Sequence, residues 1–457
     1  MMKNILNIFL VLMVVISSYS CKKFLDLQPV DQIGEDVALD TKDKIERALV
    51  GAYNQLGQGN YYGFEWMNAV WLGDGDVVPF GAGTTDLQFY NHTIVPSSNT
   101  ISINWQSMYQ VINQTNNVIS AVRGNSDPGY SSNERNNDLG QALFIRGLVY
   151  FDLARTFGGT KATSDLCVPL ILQPTRGLDK DSYPARNTCA EVYTQVGKDL
   201  DSAEMLLSLS DNRNVATKMA ATALKARLNL YLENWSVAEQ LATTVISDNT
   251  YGLVIPFENL ITQKNTSEAI FELSYSSVQQ NPLSYVFLPT SMSGQYRIGP
   301  SNNFLSLINN PSIGGDRKIM VAVDPAGNPY CNKYRSLATT GQSDDDVIVL
   351  RLAEMYLIRA EARANQNNVS GVLSDLNVIR QRSHVPVSVA STVSDVLLNI
   401  ENERRMEFAF EPFRWFDLIR TNRIGTVLGL TDKNKFVFPL PASEILANGN
   451  LTQNPGY

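Results

Sequence analysis

Histidine is almost missing from this chain: 457 residues carry only His92 and His384. Cysteine is little commoner, with Cys21, Cys167, Cys189 and Cys331 scattered and no CxxC pair among them. A zinc centre or a cysteine–histidine catalytic pair therefore lacks ligands, because such sites draw on clustered imidazoles and thiolates. Charge is sparse too, at 18% of residues, and 37 basic against 45 acidic side chains leave a net charge of −8. An acidic chain has no electrostatic footprint for nucleic acid, whose phosphates need clustered Lys and Arg. No GxGxxG, Walker or GxSxG motif occurs, so neither nucleotide chemistry nor a nucleophile elbow is supported. Asn, Ser, Thr and Gln supply the remaining polarity, which suits neutral hydroxylated ligands better than phosphates.

One hydrophobic run stands out, at the start. Lys3 precedes twelve apolar-rich residues, Ile5 to Ile16, and Ser17, Ser18 and Ser20 lead to Cys21. That run is too short for a hydrocarbon core needing about 20 helical residues, and reads as a signal peptide over 1–20. Cys21 at the junction predicts a lipoprotein, its thiol acylated and its amine the new N-terminus, with each buried CH2 anchoring by about 0.8 kcal/mol. The alternative is ordinary secretion with Cys21 unmodified; Ser18 and Tyr19 stand where an aliphatic and a small residue are commoner in a lipobox. Loss of Lys3 with the leader leaves 36 basic against 45 acidic residues, or −9. Cys167 and Cys189 could pair in an oxidising compartment, but buried free thiols are the expected state.

Downstream, helical periods dominate. "TKDKIERALVGAYNQL" (41–56) spaces Ile45, Leu49, Ala52 and Leu56 along one face, and helices are expected again at 104–122 and 134–158. "TCAEVYTQVGKDLDSAEMLLSL" opens with Thr188 and Glu191 at capping-box distance. Two hairpins rich in small residues, 216–247 and 347–383, resemble a tetratricopeptide-type array with a repeat of roughly 34 residues. Between Thr250 and Asp346 helical period is weak, which predicts a loop-rich insertion. The aromatic stretch 59–83 also lacks a period and reads as loops and short strands. The expected fold is all-α dominated: a tetratricopeptide-like helix-pair scaffold with loop insertions. It forms one domain over 21–457, with an N-terminal half of about 21–250 and a C-terminal half of about 265–457, since no flexible linker divides it.

Several clusters invite chemistry. Glu403, Glu407, Glu411 and Asp417 lie in "IENERRMEFAFEPFRWFDLIRTNR" (400–423), yet the i, i+4 spacing among Arg404, Arg405 and Arg414 is that of an ion-paired helix face, with Pro412 ending the helix after Glu411. Ser343 and Asp344 to Asp346 lack the alternating spacing of a calcium loop and read as a solvated turn capping the next helix. No catalytic residue, metal site or cofactor is expected. The aromatics without a period remain: Tyr61, Tyr62, Phe64, Trp66 and Trp71 beside Asn68, Asp74 and Asp76, with a second set of Tyr285, Phe287, Tyr296 and Arg297. Flat aromatic faces stack on sugar C–H faces while adjacent amides and carboxylates take hydroxyls. The candidate ligand residues are therefore Tyr62, Trp66, Asn68, Trp71, Asp74, Tyr285, Tyr296 and Arg297, and removing Trp66 and Trp71 is expected to weaken glycan retention without unfolding. Trp105, Trp235 and Trp415 lie on helices and read as core.

Nine ordered stretches, among them "CKKFLDLQP", "NWQSMYQVINQTNNVI", "ALFIRGLVYFDLARTFGG", "IVLRLAEMYLIRAEARA", "ENERRMEFAFEPFRWFDLIR" and "FPLPASEILANGNLTQNPGY", resemble the SusD/RagB family of outer-membrane nutrient-binding lipoproteins. The resemblance implies helical tetratricopeptide-like pairs decorated by loops, and a non-enzymatic role at the cell surface as a lid over a SusC-like TonB-dependent barrel. It also implies an oligosaccharide ligand, a peptide or other nutrient being the alternative; a secreted glycosidase is the reading from another class. "EPF" stands where the family commonly has a Gly-containing tripeptide, and Lys22-Lys23 follow the cysteine where acidic export signals are common. The family's binding aromatics lie in variable loops, so the ligand residues rest on the aromatic argument alone.

Overall fold

A computed structural model describes residues 39–81, 83–177 and 183–457; the leader and Cys21 lie outside them. The face predicted for 41–56 becomes α1 (Lys42–Leu56), whose buried residues are Ile45, Leu49, Ala52 and Leu56. It is followed by α2 (Glu65–Gly73), α3 (Thr84–Tyr90), α4 (Asn99–Gly124) and α5 (Ser132–Leu153). After a crossing segment come α6 (Cys189–Leu206), α7 (Lys218–Tyr231) and α8 (Trp235–Ile246). The C-terminal half contributes α9 (Leu352–Asn365), α10 (Val369–Arg382), α11 (Val393–Glu407) and α12 (Arg414–Arg420). α1, α4, α5, α6, α7, α8 and α9 pack each against the next in that order, and α9 also carries α10 and α11. This is the helical, tetratricopeptide-like scaffold expected from the hairpins.

Local chemistry explains the elements. Thr188 accepts from the Glu191 N–H at 3.2 Å while Glu191 accepts from the Thr188 N–H at 2.8 Å, a reciprocal cap that satisfies two otherwise orphaned donors. Small residues set the spacing: Ala220, Ala223 and Ala226 of α7 and Ala238 and Ala242 of α8 are all buried, letting the helix backbones approach. Where α5 meets α6, a Cβ added at Gly140 would lie 2.8 Å from Leu207 Cγ, so only glycine fits without displacing a neighbour.

Among the described residues the strands form three two-stranded antiparallel ribbons. β1 (Val77–Pro79) pairs with β3 (Ile298–Pro300), β2 (Ala269–Leu273) with β6 (Val347–Arg351), and β4 (Val321–Val323) with β5 (Pro329–Cys331). The first ribbon ties the early aromatic stretch to the late insertion. The second fastens that insertion to the start of α9.

Four expectations need correction. The stretch 59–83 holds a helix, α2, in which Trp66 to Gly73 are all buried; with no polar face it has no amphipathic period to detect. The charged helix ends at Glu407, before Pro412, because the chain turns through Phe408 to Phe413 with Phe410 at φ +60°. The Ser343–Asp346 turn does not cap a following helix: Asp345 accepts from the Ser336 N–H at 3.0 Å, at the start of a preceding short helix, and a strand follows. Trp235 is half-buried rather than core, whereas Trp105 and Trp415 are buried as expected.

The carboxylates of α11 and of the turn after it pair inward with distant cations. Glu403 accepts from Arg317 at 2.5 Å and Arg380 at 2.8 Å, Glu407 from Arg351 at 2.6 Å, and Glu411 from Lys333 at 2.6 Å. Their role is structural, as expected, but the partners come from other elements and the cluster is buried.

Glu272 of β2 behaves oppositely. Burial pushes its carboxyl up to about 7, opposed by the Asn265 N–H it accepts at 2.7 Å and reinforced by neighbouring Asp346. Because the native state holds a proton that the unfolded chain releases above about pH 4.3, this group costs stability as pH rises from there towards 7. Glu272→Gln keeps the acceptor and removes the charge. Its melting temperature should exceed that of the unmodified protein at pH 8 and match it at pH 4; an increase that does not depend on pH would contradict the assignment.

Candidate functional site

The eight candidate ligand residues part company in the structure. Tyr62, Trp66, Asn68, Trp71 and Asp74 are buried, at 4% exposure or less, and each is occupied within the protein. Tyr62 donates to Asp152 Oδ2 at 2.7 Å alongside Tyr61 at 2.5 Å. Trp66 Nε1 donates to Thr156 Oγ1 at 3.1 Å, and the Arg155 guanidinium lies 5.1 Å from its ring centre. Trp71 packs against Phe287 and Tyr334. Asn68 donates to Asp86 at 3.1 Å, and Asp74 accepts the Asp76 N–H at 2.7 Å, its carboxyl raised by burial and by the nearby Asp76 charge. These five are corrected to core: a ligand cannot stack on a ring that has no accessible face. They plug the space between α5, α12 and the insertion.

Tyr285, Tyr296 and Arg297 come together at the surface. Residues 285–297 close on themselves, the N–H groups of Gln295, Tyr296 and Arg297 donating to the carbonyls of Tyr285 (2.6 Å), Leu288 (2.9 Å) and Val286 (2.9 Å). Phe80, just past β1, donates its N–H to Arg297 O at 2.8 Å, which brings its ring over the same loop. The Phe80 and Tyr296 rings stack with centres 4.4 Å apart and planes 26° from parallel. Phe80 is 40% exposed and Tyr285 46%.

This aromatic ledge is held from below. Tyr296 has φ +52° and donates its hydroxyl to Pro329 O at 2.9 Å, fixing the ring against β5. Under Phe80 lies Gly299, where an added Cβ would sit 2.3 Å from the ring; glycine leaves the room the stack needs. Arg297 is clamped by Asp86 of α3 at 2.6 and 2.7 Å, with Glu65 at 3.7 Å and its guanidinium 5.2 Å from the Phe64 ring centre. Its charge is thereby matched by two carboxylates. α3 also exposes Leu87 and Tyr90. The ledge thus offers aromatic faces flanked by the exposed side chain of Gln295, an arrangement that stacks on a ring and hydrogen-bonds its edge.

Phe80 is the residue that sequence reasoning missed. The available signal was its place in "VVPFGAG", an aromatic set between Pro and Gly at the end of a short apolar run, where a turn can leave it at the surface. Among the described residues no group of three or more His, Cys, Asp or Glu side chains could share a metal ion, and no helix is long and apolar enough to cross a membrane.

Comparison with known proteins agrees with this architecture. Residues 23–232 match the family described as starch-binding and associating with the outer membrane, and residues 321–435 match the SusD family. The SusD-like protein P38 of Formosa agariphila is 24% identical over 519 aligned positions, covering 100% of this chain and 99% of that one. A SusD superfamily protein of Bacteroides thetaiotaomicron, solved by crystallography, superposes with a TM-score of 0.79 at 25% identity, covering 92% of this chain and all of that one. A laminarin-binding SusD-like protein superposes with a TM-score of 0.78 at 22% identity over 92% of this chain and 100% of that one.

Proposed function

The chain belongs to the SusD family, and from that membership we propose that it is a glycan receptor, not an enzyme, which captures an oligosaccharide on the Phe80–Tyr296 ledge and passes it to a SusC-like TonB-dependent barrel in the outer membrane. Acylation of Cys21 would hold it on the cell surface beside that partner. The single observation carrying the reading is the stacked ring pair at the surface, Phe80 exposed and Tyr296 half-buried. Soluble proteins bury most aromatic rings, and a stacked pair kept at the surface by a closed loop offers aromatic surface against which a pyranose can pack. The clamped Arg297 favours a neutral glycan, because its cation is already matched by Asp86 and Glu65.

Affinity electrophoresis tests the site, with laminarin and soluble starch as first probes and a peptide panel as the competing arm. Phe80→Ala with Tyr296→Ala should reduce glycan retention by tenfold or more. The fold should lose only about 1 kcal/mol, from the Tyr296 hydroxyl bond. Unchanged mobility of the double variant in a gel that retards the unmodified protein would sink the assignment, and retention of peptides alone would replace the glycan with a peptide ligand.

A further inference from the structure

Cys167, Cys189 and Cys331 are buried thiols, the state expected of them. Two of the three are neighbours in space, though 22 positions separate them in the chain. Leu166 and Thr188 form an antiparallel bridge, flanked by the Cys167 N–H donating to Asn187 O at 2.7 Å and the Cys189 N–H donating to Asp165 O at 2.9 Å. Side chains alternate between faces along extended segments. The bridge therefore turns Leu166 outward, 45% exposed, and Cys167 and Cys189 inward together, both fully covered. There the two side chains are hydrogen-bonded to each other.

The surroundings hold that contact. Gly158, which ends the helical run after α5, faces Cys167 so closely that an added Cβ would lie 2.3 Å from its sulfur. Arg186 donates its Nε to Cys167 O at 2.7 Å and an Nη to Leu166 O at 2.8 Å, while also reaching Thr452 O at 2.9 Å and Asn454 at 2.6 Å. The crossing segment, the start of α6 and the C-terminal tail thus meet at the thiol pair. Cys331 belongs to a different ribbon, opposite Val321 of β4.

We infer that Cys167 and Cys189 are the reduced form of a structural disulfide, which closes when the chain folds in an oxidising compartment and ties the crossing segment to the start of α6. The bond requires export from the cytosol and is independent of the glycan reading. Cys189 is the attacking thiol, because it occupies the first turn of the 18-residue α6, where a helix N-terminus favours thiolate. The hydrogen bond from Cys167 lowers the Cys189 thiol further, whereas burial raises that of Cys167. The Cys189 thiolate displaces one thiol from a disulfide oxidant, an exported dithiol oxidase or oxidised glutathione, giving a mixed disulfide; Cys167 then displaces the second. One S–S bond forms in the protein, and the oxidant leaves as two thiols carrying both electrons and both protons. Since both sulfurs are covered in the folded protein, the exchange belongs to the stage before the crossing segment docks on α6.

Glutathione buffers test the bond. The mature protein is refolded from urea across a series of oxidised-to-reduced glutathione ratios, quenched in acid, alkylated in denaturant and mapped by mass spectrometry, beside the same chain kept in urea throughout. A peptide joining Cys167 to Cys189, lighter by two hydrogens than the two thiol peptides, is expected, with Cys331 alkylated. The equilibrium constant for closing the bond should be about 30-fold or more higher in the folded protein than in the urea-held chain, the factor by which the bond favours the fold. The urea arm separates a bond made by the fold from chance closure of a short loop. Equal constants in the two arms, alkylation of Cys167 and Cys189 at every ratio, or a glutathione adduct or a Cys331 link in place of the pair overturns the inference.

Discussion

Arg351→Met should destabilise the protein by about 3–5 kcal/mol in urea titrations at pH 7, the cost of breaking a buried ion pair by removing one partner. Arg351 ends β6 and is 1% exposed. Its Nη1 donates to Glu268 at 2.8 Å and Glu407 at 2.6 Å, its Nη2 to Glu407 O at 2.6 Å, and its Nε to Glu411 at 3.1 Å. Methionine fills similar space over the Phe408 ring, so a large loss would come from charge rather than from a void. The remaining cations do not restore balance: Arg382 already serves Glu268 and Glu407, Arg317 serves Glu403 and Glu407, and Lys333 serves Glu411.

The same cluster gives the loss a pH signature. Burial alone would raise Glu407, but Arg382, Arg351 and Arg317 more than offset it and hold the carboxyl well below the ordinary range; Arg351 and Lys333 lower Glu411 likewise. A depressed native pKa contributes stability that is fully present above the unfolded value of about 4.3 and lost as pH falls below it. The difference between unmodified protein and Arg351→Met should therefore be large at pH 7 and shrink below pH 4. A cost under about 1 kcal/mol, as for exposed ion pairs, or one that does not change with pH, would refute the account.

These charges show where sequence reading stops. Glu403, Glu407 and Glu411 repeat every four residues, the pattern of a solvated ladder, yet their cations come from the insertion, β6 and α10. Nothing at short range distinguishes an inward ladder from an outward one. α1, the Thr188 cap and the α7–α8 hairpin were legible because their determinants lie within a few residues of one another. α2 was not, because a helix buried on every side has no contrast between faces. The site divides in the same way. Tyr285, Tyr296 and Arg297 could be picked out as aromatic and cationic residues of an irregular loop, but Phe80 becomes their partner only through the pairing of β1 with β3, a register between distant segments. Trp66 and Trp71 carried the same composition signal as the ledge and belong to the core.

Trp66→Ala should therefore act on the fold and spare the ligand, the reverse of the double substitution at the ledge. A buried Trp→Ala change costs about 3–5 kcal/mol through lost transfer energy and the cavity left behind. Trp66 is fully buried, edge-on to Tyr61 and Tyr62 at 5.4 and 5.1 Å and stacked on Phe416 at 6.2 Å. Losing it strips one face from Arg155, which lies 5.1 Å from the Trp66 ring centre and 4.2 Å from that of Phe416. That guanidinium is held to Asp152 at 2.9 Å, the carboxylate that also accepts the Tyr61 and Tyr62 hydroxyls, so the disturbance reaches a buried polar network as well as an apolar contact. Collapse around the site is restricted, because α2 is enclosed on all sides and its neighbours are themselves ring-packed. Calorimetric melting of Trp66→Ala should show a large drop in transition temperature, while the fraction still folded at low temperature retains laminarin or starch as the unmodified protein does. Per folded molecule, glycan affinity should fall only in the Phe80 and Tyr296 variant. A Trp66→Ala protein that melts normally yet loses its glycan would move the binding surface back to the first aromatic stretch and require α2 to open to solvent.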